Sequence, residues 1–289
     1  MASTQQLKSR IRSVKSTKQI TKAMQMVAAS KMRRAQEATK SSQAYTMAAR
    51  ELLTYLAAQG ATNGHKWFTV RPVKSRLLIA VAGDKGLAGA YNANILKAYV
   101  RELKADDAAN IANKTIAVGR KIAQAATRIK DTEIVGTYED LPDHFSGAEF
   151  HAILNTAKDL FEAGQVDAVD VIFTRFVSSL TQRADVVRLF PAGFTPTDDV
   201  QPDIAEAKFE PSPKQIIDDI AYRLISARLF QALMDSRASE HSMRMLAMKN
   251  ATDNATDLVD ALTLEMNKAR QAAITQELTE ISAGVEAMQ

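Results

Sequence analysis

Two long stretches of the chain contain neither proline nor glycine, and this feature constrains the fold most. They cover residues 1–59 and 214–283. Proline and glycine are the residues that most disfavour a helix interior, so the pattern predicts two very long helices. At 1.5 Å per residue the stretches would reach about 88 Å and about 105 Å. Helices of that length must project from any compact domain.

An apolar repeat runs along each stretch in steps of three and four residues. The first stripe is Leu7, Ile11, Val14, Ile20, Met24, Val27, Ala35, Ala38, Tyr45, Ala49, Leu52 and Leu56. The second is Ile216, Ile220, Leu224, Ala227, Phe230, Met234, Ala238, Met245, Met248, Ala255, Leu258, Leu262, Met266 and Ala269. A mean step of about 3.5 residues predicts a left-handed supercoil. The simplest pairing is one intramolecular antiparallel coiled coil, and homodimerisation through either helix is the alternative.

The middle of the chain changes period and regains glycine and proline. Strands are predicted at 76–82, 115–118, 133–135, 169–178 and 185–190, and helices at 92–104, 121–128 and 149–163. Strands that alternate with helices indicate an α/β sheet domain of Rossmann-like type. The predicted division is an N-terminal coiled-coil helix at 1–59, a central α/β domain at 75–205 and a C-terminal coiled-coil helix at 214–287.

Composition excludes several classes of function. The chain has no cysteine, so disulfides, thiolate metal sites and dithiol switches are ruled out. No apolar run reaches the roughly 18 to 20 residues of a membrane span. Of the net charge of +4, residues 1–40 carry +9 and the rest −5. A solvated face, an acidic protein partner and nucleic acid all remain compatible with that basic segment.

No catalytic constellation is visible. Gly83, Gly86 and Gly89 follow the first strand, but their GxxGxxG spacing is neither a dinucleotide fingerprint nor a P-loop, which favours a structural turn. The four histidines lack metal-ligand spacing. The paired aspartates at 106–107, 198–199 and 218–219 are better explained by capping and solvation than by acid/base catalysis. We therefore expect no cofactor, no metal and no enzyme active site.

Three polar helical segments carry a resemblance to a known family. They are residues 20–32 (ITKAMQMVAASKM), 239–255 (SEHSMRMLAMKNATDNA) and 267–281 (NKARQAAITQELTEI). Their order and spacing, and the length of the chain, resemble those of the γ subunits of F-type ATP synthases. The resemblance covers essentially the whole chain and is weakest in the middle.

The resemblance implies a non-catalytic rotor shaft inside a ring of α and β subunits, coupling ion-driven rotation of a membrane c-ring to the conformational cycle of the catalytic β subunits. The central domain would join the ε subunit and the c-ring. Neither a nucleic-acid partner nor a direct membrane span is implied. The residues that the resemblance assigns to contact with β are Lys22, Met24, Arg244, Arg270, Gln271, Thr275 and Glu277. The small apolar tip at 281–288, with Glu286, would act as a bearing in a hydrophobic sleeve.

Departures within the family favour a bacterial form at the cytoplasmic face of the cell membrane. The chain lacks the inserted thiol segment of the chloroplast form and the transit peptide of the mitochondrial form. Two rival readings stay open at this point: a coiled coil that binds nucleic acid, which would explain the basic helix, and a Rossmann-type enzyme, which would explain the middle domain.

Overall fold

A computed structural model describes residues 4–58, 60–130, 132–142, 148–192, 210 and 212–286. The elements are α1 (Thr4–Ala58), β1 (Ser75–Val81), α2 (Tyr91–Ala108), β2 (Ala112–Val118), α3 (Arg120–Ala126), β3 (Glu133–Tyr138), α4 (Ala148–Glu162), β4 (Ala168–Phe176), β5 (Gln182–Phe190) and α5 (Pro213–Glu286). Helices α1 and α5 contain 55 and 74 residues, which confirms the two long helices. All five predicted strands and the three predicted inner helices are present, with ends that differ by a few residues.

The chain divides into two compact units. Unit 1 comprises residues 1–28 and 244–289, and unit 2 comprises residues 29–243. In unit 1, Leu7 and Ile11 near the start of α1 pack against Leu262 of α5. Later in α1, the Thr21 side chain contacts Thr252, which precedes Leu262 in α5. Residue numbers therefore fall along α5 as they rise along α1, which confirms the antiparallel pairing; the handedness of the supercoil stays a prediction.

The seam of unit 1 corrects the predicted apolar stripe. Ile20 and Val27 are 60% and 56% exposed, whereas their neighbours Thr21 and Ala28 are buried. On α5, Leu258 is likewise 47% exposed. The physical reason is helix separation: the facing threonines are small and hydrogen-bond to each other, so they fit a close contact that larger apolar side chains would force apart.

Unit 2 is built on a five-stranded sheet with the order β3-β2-β1-β4-β5. Strands β1, β2, β3 and β4 pair in parallel, and β5 pairs antiparallel to β4. Residues Leu77–Ala80 in the central strand are fully buried, as expected for a strand covered on both faces. Helices α2 and α3 cover one face, and α4 with the first part of α5 covers the other.

Both long helices contribute to unit 2 as well. Leu53 and Leu56 of α1 pack with Ile217, Ile220 and Leu224 of α5, again in antiparallel order. The same part of α5 enters the main core through Ala221, Ile225 and Leu229. The first part of α5 is therefore integral to the sheet domain, and unit 2 includes this helix as far as Met243.

The paired aspartates do not share one environment. Asp106 is buried and forms an ion pair with Arg76, 3.1 Å away, so its predicted role in solvation or capping is wrong. Burial raises the pKa of Asp106, and the Arg76 guanidinium opposes that shift. Asp218 is exposed, and its Oδ1 atom lies 2.8 Å from Nε2 of His65. The pair at 198–199 lies outside the described residues.

Candidate partner-contacting surface

The last described turns of α5 form a helix segment whose side chains are all exposed. This segment covers residues 270–283. Since α1 begins at Thr4 and Leu7 packs at the level of Leu262, residues from Arg270 onward lie beyond the paired part of α1. The exposed segment holds four of the residues assigned to partner contact: Arg270, Gln271, Thr275 and Glu277. The described part of the tip, residues 281–283, is also exposed, and the side chains at 284–288 lie outside the described residues.

Geometry divides these four residues between two neighbouring directions. Arg270 and Glu277 are seven residues apart and share one face, while Gln271 and Thr275 share a face turned by about 100°. The Thr275 hydroxyl donates a 3.0 Å hydrogen bond to the carbonyl of Gln271. No ion pair to Arg270 or Glu277 is seen among the described residues. Both charged groups are therefore available to another molecule.

A second group of residues assigned to partner contact lies on the same helix pair, nearer to the start of α5. We call this group the lower level and the residues between 270 and 277 the upper level. Lys22 is exposed and its ammonium donates a 3.2 Å hydrogen bond to Gln25 Oε1, while Met24 is half-buried. Because Thr21 contacts Thr252, Lys22 lies beside that level of α5. Arg270 is eighteen residues further along α5, about 27 Å away at 1.5 Å per residue. The assigned residues thus form two separate levels.

Arg244 occupies a different position, at the start of the α5 portion of unit 1. Its side chain is half-buried.

Neither long helix has a window apolar enough for a bilayer span, judged over the described residues. Over the same residues, no three His, Asp or Glu side chains cluster as a metal site would require.

The glycine loop after β1 is packed against α5. Gly83 donates its N–H to Asn92 Oδ1 at 2.9 Å, and a Cβ placed on Gly83 would come within 2.9 Å of Glu240 Oε1. In open α/β sheets, ligands bind in the crevice outside the carboxyl ends of the strands. Here Leu233, Ser236 and Glu240 of α5 line that crevice, which retains a cavity of about 10 Å³. That space admits at most one water molecule, and the carboxylate disfavours a phosphate.

The sequence did not predict a polar cluster that lies where α5 crosses this edge of the sheet. Ser236, Ser239 and Ser242 are buried and bonded to the end of β4 and to the β4–β5 turn. On another side of α5, Arg237 donates a 2.7 Å hydrogen bond to the carbonyl of Leu141. The available signal was the run of polar residues within a helix, but their partners depend on where the strands end.

Asp235 is a buried carboxyl group next to this cluster. It is 8% exposed, and burial raises its pKa to about 6, with the positive charge of Arg175 acting in the opposite direction. Arg175 is itself held by Asp185 at 2.7 Å. Asp235 therefore receives only partial compensation, and we assign the shift to desolvation rather than to a catalytic role.

Comparison with known proteins places these features in one family. The family model described as ATP synthase matches residues 3–288. The ATP synthase gamma chain of Desulforamulus reducens is 38% identical over 289 residues and covers 100% of both chains. That of Heliobacterium modesticaldum is 37% identical, with 98% of each chain covered.

Solved structures show the same fold. A chain from the Euglena gracilis mitochondrial ATP synthase (OSCP/F1/c-ring, rotational state 3) superposes with a TM-score of 0.69 at 19% identity, covering 99% of this chain and 94% of that chain. The full-length identity to bacterial relatives and the family-model match over residues 3–288 together show that the chain belongs to the family of ATP synthase gamma chains.

Proposed function

We propose that the chain is the central shaft of a rotary F-type ATP synthase, which couples ion-driven rotation of a membrane c-ring to the conformational cycle of catalytic β subunits. The observation that carries this proposal is the outer surface of unit 1. Among the residues that the structure describes, nine large apolar side chains are exposed there: Ile20, Met26, Val27, Leu246, Leu258, Leu264, Ile274, Leu278 and Ile281. The described part of unit 2 exposes fewer, although it is much larger. A helix pair that is apolar outside as well as along its seam suits a surrounding protein sleeve.

The exposed end of α5 supports the same proposal. Residues 270–283 have no packing partner among the described residues, and isolated helices of this length are marginal in water. Enclosure by a ring of subunits would supply the missing contacts. The apolar residues Ile274, Leu278 and Ile281 would face that ring.

Two levels of contact would let the shaft act on β. The basic α1 helix with Lys22 and Met24 would meet acidic loops at the lower level, and Arg270, Gln271, Thr275 and Glu277 would meet β at the upper level, with Arg244 as a further contact. Because the shaft is asymmetric, each angle offers different contacts to three otherwise equivalent β subunits. A contact that differs in free energy between open and closed states biases which subunit closes.

Unit 2 would provide the attachment to the ε subunit and the c-ring, at the cytoplasmic face of a bacterial membrane. We propose that it performs no chemistry of its own. The filled crevice beside Gly83 and Glu240 supports this, since a nucleotide would have to displace α5 residues from the sheet edge. The basic segment of α1 would then serve protein contact rather than nucleic-acid binding.

Co-expression with the cognate α and β subunits tests the proposal. We expect the chain to co-elute in size-exclusion chromatography with the head, which is the ring of α and β subunits. We also expect the chain to raise the multisite ATP hydrolysis of this head. The isolated chain should not bind ATP. It should also not bind DNA at physiological salt concentration. Either of two results would contradict the proposal: a chain that does not join the head, or a chain that binds DNA in a salt-sensitive way that the head does not displace.

A further inference from the structure

Two serines of α5 take the place of a neighbouring strand at the end of β4. The last pair between β1 and β4 is Ala80 with Ile172. Two residues further on, the N–H of Thr174 donates to Ser236 Oγ at 3.1 Å, and Ser239 Oγ donates to the Thr174 carbonyl at 3.2 Å. Both backbone groups of one strand residue are thus satisfied by one turn of a helix.

A third serine fixes the next turn of α5 to the β4–β5 turn. Ser242 Oγ donates a 2.7 Å hydrogen bond to the Ser179 carbonyl and accepts one from Gln182 Nε2 at 3.2 Å. Ser236, Ser239 and Ser242 are at most 1% exposed. We call these three residues the serine clamp.

The serine clamp lies where α5 leaves unit 2. Unit 2 ends at Met243, one residue after Ser242, and α5 continues without interruption to Glu286. Of residues 232–242, only Arg237 is not buried, so the helix is enclosed on nearly all sides at this level. Any torque passed along α5 must enter or leave the sheet domain at or before this point.

We propose that the serine clamp positions α5 against rotation about its own axis and thereby transmits torque between the shaft and the sheet domain. This inference rests on the proposed function. The hydrophobic effect is not directional, so burial alone does not fix the angle of a helix about its own axis. Hydrogen bonds weaken steeply when the donor angle is lost, so bonds to Thr174, Ser179 and Gln182 oppose such rolling.

The chain offers a matched control for the clamp. Ser226 is another buried serine of α5, 9% exposed, and its hydroxyl has no hydrogen-bond partner among the described residues. Ser226→Ala therefore removes a buried hydroxyl from the same helix without breaking a bond to the sheet. Because the chain has no cysteine, Gln124→Cys on the exposed side of α3 gives a single labelling position in unit 2.

The experiment uses the assembled complex with its head immobilised and a probe attached at Gln124→Cys. We measure the angular fluctuation of the probe during catalytic pauses, together with ATP-driven ion pumping per ATP hydrolysed. In S236A/S239A and in S242A we expect wider fluctuation and less pumping per ATP than in S226A. In the isolated chain, S236A should speed hydrogen exchange of the Thr174 amide about fivefold, since one hydrogen bond is lost.

Fluctuation equal to that of S226A would overturn the torque role, even where amide exchange of Thr174 is faster. If S236A/S239A does not assemble, S242A alone decides by the same criterion. A wild-type complex that assembles but whose probe never rotates would refute the proposed function instead, so the two failures are distinguishable.

Discussion

The hydroxyl oxygen of Thr252 lies 2.8 Å from that of Thr21, and both side chains are buried in unit 1. The Thr21 hydroxyl also lies 3.0 Å from the Lys18 carbonyl, and the Thr252 hydroxyl lies 2.8 Å from the Met248 carbonyl. Because two hydroxyl protons serve these three contacts, one threonine donates to the other, which in turn donates to a carbonyl of its own helix. This pair links the two helices at a level where Ile20 faces outward. A polar contact, not an apolar one, thus joins the two helices there.

Replacing one member of this pair should cost more than replacing both. Thr252→Val removes the hydrogen bond between the two hydroxyls and should lower the free energy of unfolding by about 1 kcal/mol. The double change to valine keeps the shape and leaves no unmatched hydroxyl, so it should be nearly neutral. Urea unfolding of the isolated chain, with Thr17→Val as an exposed control on α1, measures the coupling. A coupling free energy of zero would contradict this account.

Asp235 should make stability depend on pH. Its folded-state pKa is raised to about 6 from 3.8, so the folded state binds the proton more tightly than the unfolded state. The free energy of unfolding should then fall as the pH rises from about 4 to about 6 and level off above, by at most about 3 kcal/mol at 1.36 kcal/mol per pKa unit.

Asp235→Asn should therefore stabilise the chain more at pH 7.5 than at pH 4.5. Asp219→Asn, at an exposed position on the same helix, is the matched control. Urea midpoints at both pH values give the comparison. An equal effect of Asp235→Asn at the two pH values would show that desolvation of this carboxylate is not the cause.

Gly119 should not tolerate a side chain. Its φ is +100°, and a Cβ there would lie 2.1 Å from the carbonyl oxygen of Ala82. Gly119→Ala should cost more than about 3 kcal/mol, since a backbone clash adds to conformational strain. Gly164→Ala, with φ +70° and open space around it, should cost about 1 kcal/mol. Similar thermal midpoints for the two variants would contradict the close approach.

The sequence predicted the long elements better than their contacts. Chain segments free of proline and glycine locate α1 and α5, and Pro213 stands at the first position of α5, as is common for helices. The seam was misplaced because Ile20 and Val27 have the same seven-residue spacing as Thr21 and Ala28. Only the facing helix decides between two such stripes.

Contacts between distant elements were not predictable in the same way. The buried Asp106 depends on Arg76, thirty residues away, and its neighbour Asp107 has the same local pattern but is exposed. The serine clamp depends on β1 ending before β4, which leaves Thr174 without a strand partner on that side. Neither relationship follows from local spacing.

The upper contact level gives a direct test on activity. Arg270 can present two directional hydrogen bonds and Gln271 adds a donor and an acceptor. If these contacts contribute on the order of 1 to 3 kcal/mol at some rotor angles, Arg270→Ala with Gln271→Ala should lower multisite ATP turnover and ion pumping while assembly survives. Lys268→Ala, also exposed and two residues away, is the control. Wild-type turnover in the assembled double variant would show that these two side chains make no functional contact with β.

Rotation of a single assembled complex tests the central claim most directly. With the head fixed to a surface and a probe on Gln124→Cys in α3, ATP should drive stepwise rotation of the probe in one direction, three steps per turn if three β subunits act in sequence. The account predicts that rotation stops when ATP is removed and resumes when it is restored. A complex that contains the chain and hydrolyses ATP at full rate while the probe stays still would contradict it.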